Sequence, residues 1–279
     1  MNQGLTEGII YAISAHHGDS VEVMDADWRE QYGLVMILQE NNKTTIHVKG
    51  VEIDVSFTRY SFSRIRWIDG NQILVATYEN EINEENVFVM DQTGPLLYSF
   101  NGGEAIEEII VGKEGIWISY FDEGVLGRGI AADGLLLFDI AGNVLFRYHS
   151  DLLDRPDIVD CYAIGKGAGT VLWLFPYTDF PLLEINPKKR TSRAYPIPEM
   201  LHGSHALCVR GKYAYFFDPY DADQLVYQLE IGTQEPLLLG TIEGAVRGLN
   251  PSETHHFISI TDQQVTLYQV LNEDEYKYS

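Results

Sequence analysis

Residues 115–149 read GIWISYFDEGVLGRGIAADGLLLFDIAGNVLFRYH. The stretch holds an apolar strand, Ile116 to Phe121, then a long acidic and glycine-rich excursion. A second strand spans Leu135 to Asp139, a turn follows at Ala141-Gly142-Asn143, and a third strand spans Val144 to His149. Short β-branched and aromatic runs broken by Gly, Asp and Asn are the mark of an antiparallel meander.

Working outward, the pattern recurs. The most apolar strand of each repeat begins at Leu34, Ile73, Ile116, Val171, Tyr213 and Phe257, so that successive starts lie 39 to 55 residues apart. That spacing matches propeller blades of four strands each, called a to d from the axis outward. The second repeat is the clearest: FSRIRWID, a turn at Asp69-Gly70-Asn71, ILVATY, NVFVMD, a turn at Gln92-Thr93-Gly94, then LLYSF. The last repeat offers three strands, VRGLN, HFISI and VTLYQV, while GIIYAIS near the start of the chain is spare. Ile9 to Ser14 is therefore expected beside Val265 to Val270, closing the ring and removing two sheet edges. The expectation is an all-β, six-bladed propeller forming one domain over 1–279, with blades at 19–58, 61–100, 106–149, 158–197, 205–242 and 246–270 plus the strand 8–14.

The segment WISYFDEGVLG followed by GLLLFDIAGN resembles bacterial β-propeller proteins that carry a Trp-(Ile/Val)-Ser-Tyr-Phe-Asp-Glu-Gly segment in one blade. The resemblance is specific over 115–143 and rests on blade spacing elsewhere. It implies the propeller fold and brings no established activity. It is not a resemblance to WD40 proteins proper, whose blade-ending Trp-Asp dipeptides are missing here.

Composition narrows the partners. With 279 residues and 45% hydrophobic composition the chain can bury a large core. The net charge of −22 repels phosphate backbones and anionic lipid, which argues against nucleic acid or a membrane surface and for a protein partner or a cationic ligand. No apolar run is long enough to span a bilayer and no basic leader precedes GIIYAIS, so a cytoplasmic monomer is expected. The two cysteines, Cys161 and Cys208, sit in apolar strands and read as buried thiols.

In this topology the b–c and d–a loops share one rim, where propellers present variable side chains on a fixed scaffold. The b–c loops are acidic: Glu79–Glu85, Asp122-Glu123, Asp179 and Asp218–Asp223. Asp122 and Glu123 follow Tyr120-Phe121 and precede Gly124 and Gly127, making Tyr120, Asp122 and Glu123 candidate binding residues. Asp218, Asp221 and Asp223 have a loosely calcium-like spacing without the turning glycine or closing glutamate. No cofactor is indicated, Ca²⁺ or another divalent cation being the ion such loops suit. His149, His202 and His205 fall on the same rim; His149 and His205 are binding candidates with Asp218, and Asp157 or Asp160 are potential acid–base partners. The pairs His16-His17 and His255-His256 fall on opposite rims. Gly165–Thr170 superficially matches a phosphate loop, but a strand follows it, so it reads as an a–b hairpin. Arg64 and Arg66 alternate onto one face of an a strand. They either bridge blades through acidic partners such as Glu107 or grip an anion in the channel. No catalytic signature is present. The chain reads as a non-enzymatic binding scaffold docking a partner on its acidic rim, the alternative being a metal-dependent hydrolase or lyase with its site there.

Overall fold

The computed structural model describes residues 4–13, 21–41, 43–55, 62–77, 84–220 and 223–271. It is a six-bladed β-propeller of four-stranded antiparallel blades. The expected positions Ser14, His16, His17, Glu79–Asn83 and Asp221 lie outside the described residues.

The chain opens with β1 (Leu5–Ala12). Blade one is β2 (Val21–Arg29), β3 (Gly33–Glu40), β4 (Lys43–Val48) and β5 (Val51–Ile53). Blade two is β6 (Phe62–Trp67), β7 (Gln72–Thr77), β8 (Val87–Asp91) and β9 (Leu96–Phe100). Blade three is β10 (Ile106–Gly112), β11 (Gly115–Tyr120), β12 (Leu135–Phe138) and β13 (Val144–Arg147). Blade four is β14 (Asp160–Lys166), β15 (Leu172–Tyr177), β16 (Leu182–Asn186) and β17 (Thr191–Tyr195). Blade five is β18 (Ala206–Arg210), β19 (Tyr213–Phe217), β20 (Leu225–Glu230) and β21 (Leu237–Thr241). The sixth sheet has the order β1-β24-β23-β22, with β22 (Ala245–Gly248), β23 (Phe257–Thr261) and β24 (Gln264–Val270). The spare first strand thus completes the last blade, as its sequence demands. Two compact units carry these blades, one mainly from Tyr11–Leu153 and the other mainly from Asp154–Ser259. Among the described residues no helix is long and apolar enough to cross a membrane.

Hairpin chemistry is local. Asp69 Oδ1 accepts from the Asn71 and Gln72 N–H groups at 2.8 and 2.9 Å, and Asp139 Oδ1 accepts from Ala141 and Asn143. Such side-chain turns replace the ladder where the chain reverses. Two sequence expectations shift in blade three. The excursion after Phe121 is not open loop: it winds into one helical turn, α1 (Asp122–Val125), and a 3₁₀ turn, Ile130–Asp133. The d strand stops at Arg147, because Asp151 Oδ2 accepts the Arg147 N–H at 2.9 Å and closes a second helical turn, α2 (Tyr148–Asp151).

In the unit of blades one to three, the a strands β2, β6 and β10 lie side by side. Their joint is polar. Asp25 Oδ2 accepts the Ile65 N–H at 2.7 Å and Asp27 Oδ2 accepts the Trp67 N–H at 2.9 Å, so blade one satisfies backbone donors on the free edge of β6. Arg66 fills the same joint. Its Nη1 donates to Asp25 Oδ2 at 2.5 Å, its Nε to the Ile109 carbonyl at 2.8 Å, and its Nη2 to Glu108. Burial alone would lower the guanidinium pKa; Asp25, Glu108 and Asp27 more than reverse this, and the charge is held.

Candidate functional site

In blades one to four the a strand carries a β-bulge near its start, between Val23 and Asp25, Phe62 and Arg64, Ile106 and Glu108, and Cys161 and Ala163. A bulge re-aims the extra side chain. In blade four that extra residue is Tyr162, a large aromatic, and it organises the rim of the second unit.

Around Tyr162 gather the b–c loop of blade four, the d–a connection into blade five and the b–c loop of blade five. The Tyr162 ring stacks on Tyr177 at 6.2 Å, meets the edge of Phe180 at 5.1 Å and that of Tyr220 at 5.7 Å, and lies 5.4 Å from His205. Phe180 is the buried hub of the cluster, also touching Phe175, His202 and Tyr220. The hydroxyls of Tyr220 and Tyr162 are hydrogen-bonded to each other. Burial, then this bond and the neighbouring Tyr220, Asp160 and Tyr177, raise the Tyr162 pKa, so its phenol stays neutral across the physiological range.

Two of these loop residues hold left-handed backbone, Phe180 at φ 48° and Asp218 at φ 56°. Such a conformation is costly for a bulky aromatic, and strain of this kind gathers at sites that position side chains. Asp218 is fixed there because its Oδ1 accepts the Gln224 N–H at 2.8 Å. Gly203, at φ 77°, lies directly beneath Tyr220: a Cβ at this position would stand 2.4 Å from the ring. Only glycine admits the tyrosine so close. Tyr220 is therefore 55% exposed yet clamped by Gly203 below and Tyr162 at its tip. Beside it opens a cleft of about 480 Å³, lined by His205, Asp218, Pro219, Tyr220 and Asp223. His205 Nδ1 is 3.2 Å from the Asp218 carbonyl oxygen and 3.6 Å from its Oδ2, and the first contact requires the proton on Nδ1.

The sequence candidates fall into distinct places. His205 and Asp218 meet in this cleft. Asp122 and Glu123 are exposed on α1 of the other unit, and His149 is held on α2 of that unit by the Ala132 carbonyl at 2.8 Å. Tyr120 corrects the expectation of a binding residue: it is fully buried and donates to the Gly102 carbonyl at 2.5 Å. Of the two alternatives for Arg66, a blade bridge or an anion grip in the channel, its donors meet the carboxylates and carbonyls of the blade joint. Arg64 donates through Nε and Nη2 to the Glu107 carbonyl and through Nη1 to Ser63, so its partner is the backbone of Glu107 and not the carboxylate. Lys166, the lysine of the glycine-rich hairpin, donates to the carbonyls of Gly167, Gly169 and Val171. Cys161 and Cys208 are buried and form no disulfide, and burial raises the Cys208 thiol. Among the described residues no three His, Cys, Asp or Glu side chains are placed to hold a metal ion.

Sequence reasoning missed Tyr162, Tyr177, Phe180 and Tyr220. The signal was present: Phe180 and Tyr220 occupy the b–c loops of adjacent blades, each following an aspartate-bearing turn. The bulge that turns Tyr162 toward them leaves no sequence mark.

No protein-family model and no curated protein matches the chain. Solved structures of similar fold do. Virginiamycin B lyase from Staphylococcus aureus, solved with quinupristin, aligns with a TM-score of 0.58 at 9% identity over 96% of this chain and all of that one. YCF48 bound to D1 peptide aligns with a TM-score of 0.53 at 8% identity, covering 96% and 97%. PorZ, a surface component of the type-IX secretion system of Porphyromonas gingivalis, aligns with a TM-score of 0.55 at 10% identity; this chain covers 32% of that longer one. At these identities the likeness is one of fold.

Proposed function

We propose that the chain is a non-enzymatic binding propeller that docks a basic protein segment on the aromatic and acidic surface of blades four and five. The observation that supports this most directly is Tyr220, a large ring held rigid and exposed beside a cleft with two carboxylates, Asp218 and Asp223, and no lysine or arginine among the described residues that line it. Rigid exposed tyrosines give contact area at low entropic cost and are enriched where proteins meet. Tyr177, 41% exposed, and Asp179 extend the same surface. The net charge of −22 favours approach of a positively charged segment over an acidic one. YCF48, a propeller of similar fold, carries a peptide, which is a use this architecture accommodates.

The test is fluorescence anisotropy of the full chain with labelled peptides of matched length, lysine- and arginine-rich against glutamate-rich. Basic peptides are expected to bind at low salt and more weakly as salt rises, with Tyr220→Ala weakening them about tenfold, the range of an aromatic anchor. Equal binding of basic and acidic peptides, or an unchanged affinity in Tyr220→Ala, overturns the reading.

A further inference from the structure

We infer that the cleft beside Tyr220 is a pocket for one arginine side chain of the docked segment. The inference rests on the docking reading above and names the group that the pocket selects.

Four features converge. The first is size: about 480 Å³ falls within the range of about 300–1,000 Å³ typical of pockets that enclose a small group. An extended side chain with its flanking backbone fits that scale. The second is an aromatic face. Tyr220 is clamped by Gly203 and Tyr162, so its exposed ring is a fixed platform. A guanidinium stacks on such a face by its plane as well as by its charge, and it sheds water more readily than an ammonium.

The third is the direction of the acceptors. Asp218 Oδ1 is committed to the Gln224 N–H, and its Oδ2 lies 3.6 Å from His205 Nδ1, beyond hydrogen-bond range. The left-handed backbone at Asp218 fixes this orientation. Asp223, exposed, supplies a second carboxylate on the same cleft. A planar fork with five donors can address two separate acceptors edge-on while its flat face lies on a ring; an ammonium can also reach several acceptors, but it has no plane to lay on the ring. The fourth is the lining itself: among the described lining residues there is no lysine or arginine, and the one basic group, His205, stands 3.6 Å from Asp218 Oδ2.

The experiment uses the full chain and three fluorescein-labelled Gly/Ser peptides, each with two constant lysines and one central residue: arginine, lysine or citrulline. Citrulline keeps the shape of arginine and loses its charge. Arginine is expected to bind about fivefold tighter than lysine and about tenfold or more tighter than citrulline. Tyr220→Ala should erase the arginine preference, and Asp223→Asn should reduce it; both residues are exposed, and circular dichroism checks that each variant folds. Equal affinity for arginine and lysine, or a preference that survives Tyr220→Ala, overturns the arginine pocket while leaving basic docking in place. Failure of all three peptides to bind overturns the docking reading, and the pocket with it.

Discussion

Asp25 and Arg66, on the a strands of neighbouring blades, form a buried ion pair of 2.5 Å in which the same Asp25 oxygen also accepts the Ile65 N–H. One carboxylate oxygen thus serves a guanidinium and a strand edge together. Removing the cation leaves Asp25 and Glu108 without it in the joint. Arg66→Met should lower the unfolding free energy by about 3–5 kcal/mol, measured by chemical denaturation. The double variant Asp25→Asn with Arg66→Met should cost less than the sum of the two singles, because the two residues are in direct contact. Additive losses would mean that the pair is not coupled.

Gly203 tests the platform under Tyr220. Gly203→Ala should cost about 1–2 kcal/mol of stability from its left-handed backbone. Its larger effect should be on binding, since the new Cβ would meet the ring at 2.4 Å and push Tyr220 off its seat. Thermal denaturation reads the first and peptide anisotropy the second. Full affinity in Gly203→Ala would show that the clamp is irrelevant to docking.

The blade pattern was legible because sheet chemistry is local. Alternating apolar residues set each strand, Asp69 and Asp139 set the turns, and the unpaired GIIYAIS predicted the closing strand now seen as β1 beside β24. The site was only partly legible. His205 and Asp218 were found because both lie on rim loops. Tyr162 and Tyr220 are 58 positions apart and meet only through a bulge and two strained loop residues. Tyr120 misled for a related reason: strand alternation does not reveal that a rim-proximal tyrosine turns inward to the Gly102 carbonyl.

His256 predicts an acid limit. It is buried against the edge of Tyr215, and its Nδ1 accepts the Val270 N–H at 3.2 Å, which needs the neutral ring. Burial, then Arg210 and His255, lower its pKa to about 3. The unfolded chain takes up that proton near pH 6.5, so the contribution is whole above that value and declines as pH falls toward 3. Between pH 7 and pH 4 the loss from this group should be on the order of 3 kcal/mol. Denaturation across that range should show a shallower slope in His256→Phe; an identical slope would remove His256 as the source.

Lys166 should be structural. Its ammonium satisfies three hairpin carbonyls at 2.7 to 3.1 Å. Lys166→Met should destabilise by about 2–3 kcal/mol, the scale of lost charged hydrogen bonds. Inorganic phosphate should leave the melting temperature of the unaltered chain where it is, whereas a phosphate loop would give a concentration-dependent rise.

The sixth sheet carries a consequence for the order of events during biosynthesis. Blades one to five are each drawn from a contiguous segment, so each has all four strands in hand soon after it leaves the ribosome. The sheet β1-β24-β23-β22 does not: its first member is made before every other strand and waits for partners translated more than two hundred residues later. Until then β1 remains an unpaired ribbon bearing Ile9 and Ile10, residues that stay solvent-accessible even in the finished fold. Nascent chains stalled before β24 should for that reason be the species most in need of a chaperone.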